Sequence, residues 1–431
     1  MENNKALVWF RNDLRVNDQH SLAKACSEND EVFALYCFDP RQFAQTKYGF
    51  KKTERFRAKF LLETVAELRE NLLEKNISML VYYDTPENVF PQVISDNNIS
   101  KIYCQKEWTS EEQNVLDSLK KLLPSTEFIE TYDQFLFHPG DLPHSSLQDI
   151  PNVFTKFRNV VEKDFKIRPL VSIEKNSKSN LLSTINQMPS LQTLGFEDFE
   201  IDSRTAFPFS GGENQALKRI EDYFWKTKNL SIYKETRNGL IGTDYSSKLS
   251  AWLSNGSISP RTIYCEIQKY EKEVDKNDST YWLIFELLWR DYFKFISLKY
   301  GSKIFKISGI LEKEYDWNFD QQIFEDWTNG KMNEPFVNAN MLEIKNTGWM
   351  SNRGRQNVGS YWSKELEQNW LIAATYFESM LVDCDVHSNY CNWMYVSGVG
   401  NDPRSRKFNI SRQAEMYDKD GHFRKLWNSK S

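Results

Sequence analysis

The chain has 431 residues, of which 55 are basic and 60 acidic, so its formal net charge is −5. This balance argues against a surface that is basic overall and binds nucleic acid everywhere, but it is compatible with a local basic cleft. No apolar run approaches the roughly 18–20 residues of a membrane-spanning helix, and the N-terminus fits neither a signal nor a transit peptide. The six cysteines lack disulfide-scaffold spacing, and the five histidines are never paired at helical spacing. We therefore expect a cytoplasmic protein without a membrane segment or a His-based metal site.

Residues 1–137 alternate short apolar segments with amphipathic ones. The four apolar segments, rich in β-branched and aromatic residues, are 6–10, 31–38, 78–83 and 101–105. Amphipathic runs such as 55–74 and 109–123 lie between them. Strands that are apolar on both faces and alternate with helices are typical of a parallel sheet covered on both sides. The pattern predicts an α/β domain with a doubly wound parallel sheet.

The rest of the chain divides into a connector and a helical domain. Residues 138–212 are interrupted by Pro, Gly and Ser clusters, which predict a long surface connector with one helix near 152–166. Beyond this connector strand signals nearly vanish and the apolar period indicates helices. The helical segments lie at 213–228, 246–253, 262–274, 278–301 and 363–383. We therefore expect residues 213–431 to form an all-α domain.

A group of hydroxyl side chains precedes an apolar run in this helical domain. Ser246, Ser247 and Ser250 surround Lys248 where the pattern places the start of a helix. Backbone N–H groups at a helix start, hydroxyls and one ammonium together suit a phosphate or diphosphate. The alternative is an ordinary serine-capped helix, because serine is a common N-cap residue.

Three side chains share one face of the helix predicted over 278–301. Glu286, Trp289 and Arg290 stand at positions i, i+3 and i+4. A carboxylate, an indole and a guanidinium on one face could line a cleft as hydrogen-bond partner, stacking surface and anion clamp. A surface salt bridge beside a core tryptophan explains the same spacing equally well.

Planar donors cluster near residue 352. Asn352, Arg353 and Arg355 lie in a glycine-containing segment and offer the donors that a polyanion or a base edge accepts. A basic loop without a ligand is the alternative.

Two carboxylates lie close together further along the chain. Asp383 and Asp385 precede Asn389 within one or two helical turns. They indicate a metal, a pair of acids or partners for arginines, and Arg355 in an ion pair with Asp385 is a strong competitor to a metal. His387 has no ligand partner at metal spacing and is interpreted as a solvated bystander.

The order of these segments resembles the photolyase/cryptochrome flavoproteins, and within them the DASH cryptochromes, over essentially the whole chain. Eight ordered segments carry the resemblance: VWFRNDLRVND (8–18), NVFTKFRNVVE (152–162), YKETRN (233–238), SSKLSAWL (246–253), SISPR (257–261), FELLWRDYF (285–293), TGWMSNRGRQNV (347–358) and GVGNDPRSRKFNISRQAEMYD (398–418). The resemblance implies an α/β domain and a helical domain that binds FAD in a folded form, with adenine and isoalloxazine facing a surface cavity.

By motif, the resemblance assigns a set of residues to FAD. They are Tyr233, Ser246, Ser247, Lys248, Leu249, Ser250, Glu286, Arg290, Asn352, Arg355, Asp383, Asp385 and Asn389. Tyr233 and residues 246–250 are implied on the diphosphate side, and Arg355 with Asp385 as an ion pair beside the flavin ring. Asn389 is implied beside flavin N5, where an amide cannot supply a proton and so favours a fully reduced, anionic flavin.

The resemblance also implies a light-driven DNA lyase. Excited reduced FAD would donate an electron to a cyclobutane pyrimidine dimer, and no metal is needed. The cavity-facing residues are Glu286, Trp289, Asn352, Arg353, Gln356 and Tyr395. Glu286 would stabilise the charge that develops on the dimer.

Two of these residues bear on the substrate. Tyr395 and Gln356 stand where duplex-repairing relatives commonly have a tryptophan and an apolar residue, and both are typical of the DASH group. Because a smaller, more polar platform offsets the cost of flipping a dimer out of a duplex less well, we expect repair in single-stranded DNA.

Three tryptophans match the electron-transfer chain of the family: Trp393, Trp370 and Trp317. Core packing is the alternative for each of them. Glu107 matches the glutamate that holds methenyltetrahydrofolate, an antenna pigment, in DASH relatives.

The end of the chain is locally basic. Residues 401–431 hold eight basic and four acidic residues, a net charge of +4. With Lys248, Arg290 and Arg353 they predict a phosphate track whose affinity for DNA falls steeply with salt. We expect a monomer.

Four positions depart from the family pattern: Ala251, Asn338, Leu342 and Cys391. Asn338 and Leu342 stand where the family usually has Asp and Arg, which predicts the loss of an internal ion pair. Two alternative functions stay open: a blue-light photoreceptor or DNA-associated regulator, and a flavin- or nucleotide-binding protein without photochemistry.

Overall fold

The computed structural model describes residues 4–143, 146–164, 166–173, 181–182, 185–402, 404 and 406–428. Near its N-terminus the chain forms one parallel sheet of five strands: β1 (Lys5–Trp9), β2 (Glu31–Cys37), β3 (Met79–Tyr82), β4 (Lys101–Gln105) and β5 (Glu127–Thr131). Their order is β3-β2-β1-β4-β5, with Leu7 of β1 in register with Phe33 of β2 and Ile102 of β4. The predicted doubly wound α/β domain is confirmed.

Both faces of the sheet are buried, as its apolar strands require. Successive side chains of a strand point to opposite faces; Ala6 and Val8 join one apolar core, whereas Leu7 and Trp9 join the other. The covering helices are α1 (His20–Glu28), α2 (Arg55–Glu74), α3 (Pro86–Asn97) and α4 (Ser110–Leu122). The sequence pattern did not predict β5, because this edge strand is only partly buried and carries glutamates around one Phe–Ile pair.

Among its described residues, the predicted connector contains one α-helix, α5 (Phe154–Asp164), close to the expected 152–166. Its last part returns across α2, where the Gly211 backbone N–H donates to Glu63 at 2.9 Å. The residues around His144 and Lys175 lie outside the described part of the chain.

In the C-terminal half, the described residues form helices joined by loops and no strand. Its helices are α6 (Glu213–Ile220), α7 (Tyr233–Thr236), α8 (Ser250–Ser254), α9 (Pro260–Glu273), α10 (Asp278–Tyr300), α11 (Gln321–Thr328), α12 (Pro335–Thr347), α13 (Asn352–Ser360), α14 (Trp370–Met380), α15 (Val386–Ser397), α16 (Ile410–Tyr417) and α17 (His422–Asn428). Short π-helical turns at Glu221–Lys226 and Tyr361–Glu365 follow α6 and α13. No helix among the described residues is long and apolar enough to cross a bilayer.

Two of the predicted helices were placed wrongly. The helix expected over 246–253 begins only at Ser250, because Lys248 adopts a left-handed backbone conformation with φ 63°. The helix expected over 363–383 is divided between the end of the π-helical turn Tyr361–Glu365 and α14, because Glu367 is left-handed and the Asn369 side chain caps α14 through the Leu371 N–H. In both places the helical spacing of apolar residues continues in the sequence, but a residue with a left-handed backbone interrupts the helix and forms a loop.

A buried ion network joins the α/β domain to the helical domain. Asp133 accepts from Arg15 at 2.9 Å and from Arg261 at 2.7 Å, and Arg261 also contacts Asp18 at 2.9 Å. All four side chains are at most 2% exposed. Burial opposes ionisation of Asp133, but the guanidinium groups outweigh it and hold its pKa well below the usual range.

The residues that depart from the family pattern are accommodated locally. The Asn338 amide accepts from the Met332 N–H at 2.8 Å and donates to the Met332 carbonyl at 2.7 Å, which a carboxylate could not do. Leu342 packs against the apolar core. Cys391 is buried, and its thiol faces the Phe293 carbonyl at 3.8 Å.

Candidate functional site

A cleft of about 550 Å³ opens among the helices of the C-terminal half. Its walls are α10, α13, α15 and the loop before α8, and a smaller cavity adjoins it beside Trp393 and Asn389. The cleft wall includes these residues expected to bind FAD or to face the lesion: Tyr233, Ser246, Ser247, Lys248, Leu249, Ser250, Glu286, Trp289, Arg290, Asn352, Arg353, Arg355, Gln356, Asp383, Asp385 and Tyr395. The structure therefore brings together side chains that are far apart in the sequence. Tyr233 and Tyr395, the first and the last of them, are separated by 162 positions.

The serine-rich loop is held from outside the cleft by a buried arginine. Arg219 donates to the backbone carbonyls of Thr243, Ser246 and Ser247 at 3.1 to 3.2 Å. The guanidinium thereby fixes the loop that carries Lys248. Arg219 could not be predicted from the sequence, because nothing in its own helix distinguishes it from a surface cation.

Lys248 is a buried cation at the floor of this loop. Its side-chain nitrogen lies 3.1 Å from the centroid of the Tyr245 ring and 4.9 Å from that of Trp349. The nitrogen makes no hydrogen bond to any residue of the described ranges, and burial lowers the pKa of Lys248. An anion beside it would supply the missing acceptor, so a diphosphate fits the residues present.

Glu286 forms an ion pair with Arg237 at the wall of the cleft. Burial raises the pKa of Glu286, and Arg237 acts in the opposite direction. The sequence pattern does not reveal Arg237, although this residue stands four positions after Tyr233. Its effect is to place a positive charge next to the carboxyl group expected to face the lesion.

Aromatic rings form another part of the wall. Trp289 stacks on Phe154 with centroids 3.7 Å apart and planes 12° apart, and Tyr395 meets Trp289 edge-on at 6.0 Å. Phe154 comes from the connector, so α5 supports the tryptophan from one side. Trp289 itself lines the cleft.

The predicted pair of Arg355 with Asp385 is wrong. Arg355 instead contacts Asp383, at 2.9 and 3.0 Å to its two oxygens, and Ser250 donates to the same carboxylate at 2.7 Å. Asp385 is the N-cap of α15 and pairs with the buried Lys294 at 2.7 Å. The two carboxylates diverge because only Asp385 caps the helix, and sequence spacing alone does not reveal Lys294.

The electrostatics of Asp385 follow from this pairing. Burial opposes its ionisation, but Lys294, His387 and Arg290 outweigh burial and hold the pKa of Asp385 below its usual range. The carboxylate is therefore ionised beside the cleft.

Arg290 and Arg353 use their guanidinium groups differently. Arg290 donates to the backbone carbonyls of Gln134 and Leu253 at 2.6 and 3.2 Å, so it anchors structure as well as lining the cleft. Arg353 donates to Gln356 at 2.9 Å and lies 4.5 Å from the Tyr417 ring centroid. Gln356 is thus oriented by Arg353.

The three tryptophans run from the inner cavity toward the surface. Trp393 lines the smaller cavity, Trp370 is fully buried and donates to the Ile307 carbonyl at 2.9 Å, and Trp317 is half-buried. The Asn369 N–H donates to the Asn318 carbonyl at 2.7 Å, and the Asn318 N–H donates to the Glu367 carbonyl at 3.1 Å, which brings the segments of Trp317 and Trp370 together.

The inner cavity also receives Asn389. Its amide donates to the Ala374 carbonyl at 2.9 Å, which fixes the orientation of this side chain against α14.

Two residues lie away from the cleft. Glu107 follows β4, is 3% exposed and accepts hydrogen bonds from Asn12, Gln105 and Gln134. The interpretation of His387 as a solvated bystander is wrong: it is buried, and its ring stacks on Trp108 with centroids 4.5 Å apart.

Comparisons with known proteins show the family of this chain. Residues 6–175 match the family model DNA photolyase, and residues 282–430 match the FAD binding domain of DNA photolyase. The cryptochrome DASH of Gloeobacter violaceus is 46% identical over 99% of this chain and 86% of its own length. The cryptochrome DASH of Xenopus laevis is 45% identical over 98% of this chain and 82% of its own length.

Solved structures give the same result. The crystal structure of a Synechocystis cryptochrome has a TM-score of 0.93 at 45% identity, covering 99% of this chain and 89% of the other. A class III photolyase from Agrobacterium tumefaciens, at 22% identity and a TM-score of 0.84 over 99% and 87% of the two chains, shares the fold. The cleft and these near full-length similarities establish that the chain belongs to the cryptochrome DASH group of the photolyase/cryptochrome family and carries its FAD-binding domain.

Proposed function

We propose that this protein is a blue-light-driven lyase that repairs cyclobutane pyrimidine dimers, preferentially in single-stranded DNA. One cleft brings the side chains suited to FAD together with Glu286, Trp289 and Tyr395, and this juxtaposition is the main support. When bound in its reduced form and excited by light, FAD would supply an electron to the dimer and regain it after the ring has split. The remaining tasks, which are binding, orientation and charge compensation, fall to the residues of the chain.

The residues of the cleft suit separate parts of the cofactor. Lys248 and the serines of its loop would bind the diphosphate, because they combine hydroxyl donors with a buried cation that has no hydrogen-bond partner among the described residues. Arg355, held by Asp383, would hold polar atoms of the flavin edge, and Asn389 would lie nearby in the inner cavity.

Glu286 would act on the lesion itself. A dimer that accepts an electron gains negative charge, which a hydrogen-bond donor or a proton stabilises. Burial raises the pKa of Glu286, and Arg237, its ion-pair partner, supplies a positive charge beside the lesion.

The preference for single strands rests on the lesion-facing surface. Trp289 offers one ring face, because Phe154 covers the other, and the second ring, Tyr395, is smaller than an indole. Gln356, bound by Arg353, replaces apolar contact area. Since photolyases must take the dimer out of the base stack, a weakly gripping platform favours strands in which that cost is already small.

The basic end of the chain would add phosphate contacts. Arg406 lines the mouth of the cleft, where it lies 3.7 Å from Asp402. Arg424 is held by Asp418 at 2.8 Å, so it contributes less to a phosphate track than the sequence suggests. Binding to DNA should weaken with salt in proportion to the phosphates contacted.

A repair assay tests the substrate preference. The reduced protein is illuminated with blue light in the presence of dimer-containing oligothymidine, either alone or annealed to oligoadenosine, and the recovery of ultraviolet absorbance is followed. We expect faster recovery for the single strand. Equal rates on both substrates would contradict the preference, and no recovery on either would contradict the lyase itself.

The tryptophan series supports a second candidate function, that of a blue-light photoreceptor. Trp393, Trp370 and Trp317 extend from the inner cavity to a partly exposed position, as needed to refill a light-excited cofactor with electrons. Light-dependent reduction together with a light-dependent partner, in a protein that repairs no dimer, would favour this function.

We also propose a methenyltetrahydrofolate antenna at Glu107. The carboxylate is buried and accepts hydrogen bonds from three side-chain amide groups. These donors hold it in the orientation of a hydrogen-bond acceptor, and an N–H group of the pigment could donate to it as well. A near-ultraviolet absorption band that Glu107→Gln removes would support the antenna.

All six cysteines are free thiols, which supports a reducing compartment such as the cytoplasm. We also expect a monomer in solution.

A further inference from the structure

A buried series of hydrogen bonds joins Glu107 to the FAD cleft. Gln134 donates from its amide nitrogen to Glu107 at 3.2 Å and accepts at its amide oxygen from Lys294 at 2.7 Å. Lys294 donates a second hydrogen bond to Asp385 at 2.7 Å. Glu107, Gln134 and Lys294 are each at most 5% exposed, and Asp385 lines the cleft.

The direction of this series is fixed by Lys294. An ammonium group can only donate hydrogen bonds, so the oxygen of the Gln134 amide must face it and the NH2 group must face Glu107. A carboxylate at position 107 completes the arrangement as an acceptor. A protonated or amide side chain there would remove the negative charge that the Gln134 NH2 group faces, which would weaken the hydrogen bond that holds Gln134 against Lys294.

The surrounding side chains keep the series rigid. Trp108 donates to the Ser297 hydroxyl at 2.6 Å, and this hydroxyl lies 2.7 Å from Nδ1 of His387. Trp108 therefore ties the segment after β4 to both α10 and α15. In addition, Asp291 accepts from the backbone N–H groups of Leu136 and Phe137 at 3.0 and 2.8 Å.

We propose that Lys294 is a positioning residue that couples Glu107 of the α/β domain to Asp385 in the FAD cleft. A change in the charge or hydrogen bonding of Glu107 then changes the affinity of the cleft for FAD. By linkage, a ligand at Glu107 and FAD influence each other's binding. The coupling rests on FAD binding and not on DNA repair.

A double-mutant cycle tests the coupling by fluorescence titration of the apoprotein with FAD, in the dark and without DNA. Glu107→Gln should weaken FAD binding about three- to tenfold, within the range of measured couplings. In a Lys294→Met background the same substitution should change the affinity less than twofold. Glu111→Gln, an exposed neighbour paired with Lys52, is the matched control and should change nothing.

A second background guards against misfolding of Lys294→Met, which leaves Asp385 without its partner. Gln134→Leu interrupts the series without leaving a charge unpaired, and it should equally abolish the effect of Glu107→Gln. An equal loss of affinity in the wild-type and interrupted backgrounds would overturn the coupling. So would a Glu107→Gln variant that binds FAD as the wild type does. Because no lesion is present, neither result depends on whether the protein repairs dimers.

Discussion

At the residue scale, we expect Glu286 and Arg237 to stabilise the negative charge that develops on the lesion. We expect Glu286→Ala to lower the yield of dimer repair roughly tenfold, about 1.4 kcal/mol of stabilisation, because it removes the donor to the developing charge. Glu286→Gln should retain more activity, since its amide still donates. Quantum yields of repair for the two variants check this, and an alanine variant as active as the glutamine variant would contradict it.

Lys248 carries a prediction about the cofactor itself. Lys248→Met removes a buried cation and should weaken FAD binding by about 10- to 100-fold, since a hydrogen bond to a charged group contributes about 1.5–3 kcal/mol. Lys269→Met is the matched control, because Lys269 also lies over an aromatic ring, 4.8 Å from the centroid of Trp225, but is exposed on α9. Equilibrium titration with FAD measures both. Equal losses in the two variants would speak against a diphosphate at Lys248.

How far the site could be read from sequence differs from residue to residue. Spacing along one helix was enough to group Glu286 with Trp289, because α10 is long and regular. Motif order supplied Lys248 and its serines. Partners from other elements, such as Arg237, Arg219 and Lys294, could not be found in this way, since a side chain's partner across space leaves no local pattern.

At the element scale, the segment from α13 to α14 sets the path of the tryptophans. Trp370 begins α14, and the Asn369 cap and the left-handed Glu367 place it beside the Trp317 segment. The apolar period over 363–383 predicted one continuous helix and therefore hid this break. Conversely, β5 was not expected, because a strand at the edge of the sheet is only partly buried and so has few apolar residues in its sequence. Elements buried on two faces were predictable, whereas breaks and edges were not.

The same element yields a prediction about light-driven reduction. Trp370→Phe should slow photoreduction of bound FAD at least tenfold, because it removes the middle indole while conserving most of the ring volume. Trp252→Phe is a close control: Trp252 is also fully buried and also donates to a backbone carbonyl, that of Ser210 at 3.2 Å. Absorption changes under constant illumination report the rate. Similar slowing in both variants would show that packing, not electron transfer, is responsible.

At the scale of the whole molecule, the two domains are joined by the ion network around Asp133. Asp133→Asn should destabilise the protein by about 3 kcal/mol at pH 7, because it leaves buried guanidinium groups undercompensated. The pKa of Asp133 is lowered in the folded state, so its contribution is complete above the unfolded-state value of about 3.9 and is lost as pH falls below it. The difference between wild type and variant should therefore shrink in acid.

Urea unfolding at pH 7 and at about pH 4 and below measures this difference. Asp141→Asn is the control, since the pair of Asp141 with Arg168 is exposed and such pairs contribute about 0–1 kcal/mol. A loss for Asp133→Asn no larger than for the control, or a difference that does not change with pH, would contradict a stabilising role for the network.

The most direct test of the whole account is an action spectrum for dimer splitting in single-stranded DNA by the FAD-loaded, reduced protein without an antenna. If FAD in this cleft drives the repair, the rate per incident photon should follow the absorption band of the bound reduced flavin, and it should vanish in the dark. Intact dimers at every wavelength, in a protein shown to hold reduced FAD, would contradict the account.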